Sequence, residues 1–78
     1  MADHRDRNYE QEIQEARNRV AQIKTVIVNI ELQIKNGENS KVAWVREMLP
    51  ADRKRLQLAE LEFDIALDDL IIAVQEAK

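Results

Sequence analysis

The stretch YEQEIQEARNRVAQIKTVIVNIELQIK, residues 9–35, decides the fold. Within it Tyr9, Ile13, Ala16, Val20, Ile23, Ile27, Ile30 and Ile34 follow one another at alternating steps of four and three. That alternation holds a single apolar stripe on one side of a helix over four heptads, the pattern of a helix that lies along a partner helix. Asn8, followed three residues later by Gln11, reads as a capping box that starts the helix. Gly37 reads as its stop, because glycine takes the left-handed conformation without a Cβ clash. Helix 1 is therefore expected over 9–35.

Outward from this stretch, the polar residues 36–40 read as a turn in which Asn39 or Ser40 can cap the next helix. A short second helix is expected over 41–49, ended by Pro50, whose missing amide and ring clash cost about 3 kcal/mol inside a helix but little in a first turn. Leu56, Ala59, Phe63, Ala66, Leu70, Ala73 and Ala77 then repeat the four-three pattern, which places helix 3 over 51–77. The expected fold is all-α. It is one domain over 1–78: a flexible tail (1–8) and an antiparallel hairpin of long, short and long helices with heptad seams, assembling into a helical bundle.

Two registers fit the seams, with facing residue numbers adding to about 76 or to about 90. The first sets Glu12 and Glu15 beside Asp64 and Leu61. The second brings Arg17, Arg19 and Lys24 toward the acidic run Glu60, Glu62, Asp64, Asp68 and Asp69, and charge favours it.

Each long helix carries more apolar surface than one seam needs. Helix 1 adds Ala21, Thr25, Val28 and Leu32; helix 3 adds Leu58, Leu61, Ile65 and Ile72. In the second register Leu32 lies level with Leu58, Val28 with Leu61 and Thr25 with Ile65, so the two stripes are expected to merge into one patch. A soluble monomer does not leave such a patch in water, at roughly 25 cal/mol per Å². The expected interface is therefore Val28, Leu32, Leu58, Leu61, Ile65 and Ile72, with Trp44 packing the connector or acting as an anchor.

Composition narrows the function. The chain has 78 residues, of which 35% are charged and 4% aromatic, with no cysteine and a net charge of −3. A chain this short draws only about 3 to 5 kcal/mol from its own core, and no disulfide reinforces it, which leaves self-association as the remaining route. The balance of 12 basic and 15 acidic residues gives no strong nucleic-acid signal. No stretch approaches the roughly 20 apolar residues that span a bilayer, and the first residues carry no signal-peptide core, so a cytoplasmic location is expected.

Catalysis is not expected. Ser40 lies in a turn, Thr25 in mid-helix and His4 in the tail, so no nucleophile, base and orienting group meet in one chain. Glu60, Asp64 and Asp68 share a helix face but read as a solvated face rather than a metal site, and no cofactor is expected. Candidate anion contacts are Arg17 and Lys24 on helix 1 and the triplet Arg53, Lys54 and Arg55 at the start of helix 3.

His4-Arg5, Tyr9, Ile23-Lys24 and Trp44 resemble, in their order, the small helical-hairpin proteins by which phages soak up cyclic nucleotide alarm signals. The rest of the chain has no matching motif. The resemblance implies an oligomer that clamps an anionic nucleotide between subunits with Tyr9 and Lys24. The reading from the residues themselves is a non-enzymatic, homo-oligomeric interaction protein, a small inhibitor or accessory subunit of the kind phages also encode. Its partners are further copies of itself and another protein. A nucleotide sponge and a structural coiled-coil scaffold are the alternatives.

Overall fold

A computed structural model describes residues 8–78; the expected flexible tail, with His4 and Arg5, lies outside the described residues apart from Asn8. The described chain is all-α, with three helices: α1 (Tyr9–Glu38), α2 (Ala43–Glu47) and α3 (Leu49–Glu76). α1 and α3 pack along each other as an antiparallel hairpin, and α2 closes one end.

Local chemistry sets the helix ends. The Asn8 side chain accepts a hydrogen bond from the Gln11 amide at 3.0 Å, satisfying one free donor of the first turn. The Gln11 side chain does not complete the box; it donates forward to Glu15 at 3.0 Å. At the other end α1 runs three residues beyond the expected stop. Gly37 has no positive φ and stays inside the helix, which is capped through the Asn39 amide on the Lys35 carbonyl at 3.2 Å. Gly37 lies against the start of α3 instead of turning the chain: a Cβ there would sit 2.7 Å from Leu49 Cδ2, so any larger residue makes the Leu49 side chain shift.

The connector is correspondingly shorter than read from sequence. Ser40 caps nothing in α2 but folds the turn, its Oγ accepting from the Val42 amide at 3.0 Å. α2 then covers only Ala43–Glu47 rather than 41–49. α3 begins at Leu49, two residues before the expected start, because Pro50 occupies the first turn, where its missing amide costs nothing. A single residue, Met48, separates α2 from α3, so the break is sharp.

Each long helix protects mainly the side that it turns to the other. On α1, Ile30 and Gly37 are buried, and Ile13, Ala16, Val20, Ile23, Ile27 and Ile34 are half-buried. On α3, Leu49, Asp52, Ala59 and Ala66 are buried while Leu56, Phe63, Leu70 and Ala73 are half-buried. Ala77, placed on this stripe from sequence, is the exposed C-cap of α3. Asp52 is the charged member of the row; it is reached by Arg55 at 3.5 Å and favoured by the positive end of α3.

The register is the one in which facing numbers add to about 90. Glu38 accepts from Arg53 at 3.0 Å, Gly37 abuts Leu49, and Ile27 shares a groove with Phe63. Side-chain charges do not lock it. Arg17, Arg19 and Lys24 form no ion pair among the described residues, although Glu62 and Asp69 line a groove with Arg19.

Candidate interaction surfaces

Position around each helix axis decides what the hairpin shows outside. Successive residues turn by about 100°, so residues seven apart return to nearly the same side. One shallow groove between the helices is lined by Arg19, Ile23, Glu62, Ile65, Ala66 and Asp69. Leu58 and Ile72 stand seven residues before and after Ile65 and share its face; Val26, seven after Arg19, joins them from α1. A second groove is lined by Lys24, Ile27, Val28, Glu31, Glu60, Phe63 and Asp64. Leu67 and Ile71, seven after Glu60 and Asp64, share that face with Val28.

The two grooves lie on opposite broad faces, which corrects the single patch expected from sequence. Val28 belongs to one face; Leu58, Ile65 and Ile72 belong to the other. Leu32 and Leu61 point away from the seam, along the two outer edges. The residues are level with each other as the register requires, but level is not adjacency. The signal was present in the sequence. In an antiparallel pair the side reached by one step clockwise on α1 faces the corresponding side of α3, and Val28 and Ile65 depart from their seams in opposite senses.

The apolar side chains on these faces are open to water. Ile65 is 62% exposed and Leu61 59%; Val28, Leu32, Leu58 and Ile72 are each half or more exposed. Val26, Leu67 and Ile71, which lie outside the interface expected from sequence, join them. The signal that finds them is the lack of a polar side on α3: between Leu61 and Val74 almost every direction carries an aliphatic residue, as in a helix surrounded by protein. Trp44, at 65%, is the most exposed of the large apolar residues and shares the closed end of the hairpin with Val45 and Met48.

The candidate anion contacts do not converge within one chain. Tyr9 and Lys24 are separated by about 22 Å along α1, and Arg53, Lys54 and Arg55 lie at the opposite end of the hairpin from Tyr9. Arg53 is held by Glu38 at 3.0 Å and Arg55 by Asp52 at 3.5 Å. Lys24 shares its groove with three carboxylates, Glu31, Glu60 and Asp64. Arg17 and Lys24, seven apart, project from one side of α1 and form no ion pair among the described residues.

No cluster of metal-ligating side chains occurs among the described residues, and Glu60, Asp64 and Asp68 are exposed. Ser40 and Thr25 are engaged with backbone: the Ser40 hydroxyl accepts from Val42, and Thr25 Oγ1 donates to the Ala21 carbonyl at 3.1 Å. No described helix is long and apolar enough to cross a membrane. Comparison with protein families, with curated proteins and with solved structures gives no match.

Proposed function

We propose that this protein is a non-enzymatic, homo-oligomeric helical protein whose hairpins assemble into a bundle along heptad seams and act by protein–protein interaction, as a small inhibitor or accessory subunit. The observation that carries this reading is aliphatic exposure on both broad faces of a two-helix layer, centred on Ile65 on one side and Val28 on the other. A two-helix layer has no inside beyond one seam, so each exposed Leu or Ile is covered only by another chain. Further copies of the same chain are the first occupants, and one face or the exposed Trp44 end remains for a different protein. Sedimentation equilibrium at micromolar concentration tests the reading: a mass that is a multiple of 9.1 kDa is expected, and a soluble 9.1 kDa species overturns it.

A second reading, an oligomeric sponge for an anionic nucleotide, is favoured by one observation. Arg17 and Lys24 stand on one side of α1, seven residues apart, and form no ion pair among the described residues, so an assembly that brings Tyr9 or the basic start of α3 of another copy near them gathers an anion site at a subunit junction. Isothermal titration with cyclic di- and trinucleotides checks it, and absence of heat at high protein concentration disposes of it. A structural scaffold, the third possibility, assembles with no partner or ligand at all.

A further inference from the structure

The arrangement of α3 says how two copies meet. Leu58, Ile65 and Ile72 are spaced seven and seven on one face, so the row reads the same from either end about Ile65. Charge along the helix is not symmetric: Arg53, Lys54 and Arg55 stand at its start, the acidic run Glu60, Glu62, Asp64, Asp68 and Asp69 occupies its middle, and Glu76 stands at its end. A helix with a basic start and an acidic end complements itself when reversed.

We propose, building on the self-association argued above, that the face bearing Leu58, Ile65 and Ile72 packs on the same face of a second copy, with α3 antiparallel to α3 and a two-fold axis passing at Ile65. Ile65 then meets Ile65 of the second copy, and Leu58 meets its Ile72. Lys54 and Arg55 come level with Glu76 of the second copy. The acids flanking the centre come level with one another, Glu62 with Asp68 and Asp69 of the second copy, and so require a cation between them. Arg19 lines the same groove as Glu62, Ile65 and Asp69 and forms no ion pair among the described residues, and the two-fold sets it within about one turn of Glu62 of the second copy. The reverse, parallel arrangement stacks Arg53–Arg55 on themselves and the acidic ends on themselves, which charge disfavours.

The area suffices. From Lys54 to Glu76 the face is about 33 Å long, and two helices side by side are about 20 Å wide, so each copy contributes roughly 650 Å². The total of about 1,300 Å² lies within the range of specific, stable interfaces. The opposite face, with Val28, Leu67 and Ile71, stays free for other contacts.

Single-cysteine variants of the full chain test this cleanly, because the natural sequence has no cysteine. A disulfide needs Cα atoms within about 7 Å, which only residues at the axis or at mirrored positions satisfy. Under mild oxidation the Ile65→Cys chain is expected to link to itself. The Leu58→Cys and Ile72→Cys chains should each fail alone, since like residues stand about 21 Å apart, and should link at least about tenfold faster when mixed. All three sites are exposed, so circular dichroism should report unchanged helicity. Multimeric mass with self-linking of Leu58→Cys, or with no self-linking of Ile65→Cys, overturns the two-fold while leaving self-association intact. A monomeric mass for the natural chain overturns both.

Discussion

Replacing Ile30 and Ile65 separately by alanine removes the same atoms from two environments and so measures which surface other chains cover. Removing three carbons from a fully buried isoleucine costs about 2.4 kcal/mol in transfer free energy, at about 0.8 per methylene. Ile30 is 4% exposed, so nearly all of this is lost inside the hairpin, and the cavity left beside α3 raises the cost to roughly 3 kcal/mol. Ile65 is 62% exposed within its own chain, so little more than a third of its transfer energy, about 0.9 kcal/mol, is lost if the hairpin stands alone. If a second copy covers Ile65, its loss approaches about 2 kcal/mol per chain and depends on protein concentration. The assay is urea unfolding followed by circular dichroism at low and high micromolar protein. The expected result is a natural-chain midpoint that rises with concentration, a large loss for Ile30→Ala, and a loss for Ile65→Ala well above the single-hairpin value. A midpoint independent of concentration, together with a loss for Ile65→Ala near 1 kcal/mol, refutes the reasoning that these faces are covered by further copies.

Other sites give smaller, local effects. Asn8→Ala removes the side-chain acceptor of the Gln11 amide and should cost about 1 kcal/mol in the same urea experiment, with fraying confined to the start of α1 in amide hydrogen exchange. Gly37→Val places its first side-chain carbon 2.7 Å from Leu49 Cδ2 and two more beyond it; a loss of about 1 to 3 kcal/mol is expected, and a neutral variant would show that the Leu49 side chain moves aside at no cost. The Glu38–Arg53 pair, half-exposed at 3.0 Å, should yield a coupling of less than about 1 kcal/mol in a double-mutant cycle with alanine, shrinking further in added salt.

Much of the hairpin is legible in residues 9–35 and their echo in α3, because helical period and seam spacing are properties of one chain segment at a time. Asn8 announces the start of α1, and Pro50 announces a new helix, since the chemistry of a free first-turn amide or a missing one is local. Gly37 shows where local reading fails. Its freedom to turn left-handed is a property of glycine, whereas its actual use, giving Leu49 room, depends on a residue twelve positions away that only packing brings near.

The candidate surface divides in the same way. That Val28, Leu32, Leu58, Leu61, Ile65 and Ile72 lie off the seams is fixed by their angles about their own axes, which sequence alone determines. Which of them become neighbours is fixed by how two axes lie against each other. Antiparallel pairing turns Val28 to one broad face and Ile65 to the other, so residues at the same height end on opposite sides of the layer. A periodic pattern records rotation within a helix, and adjacency between helices exists only once direction, register and side are set together by tertiary packing.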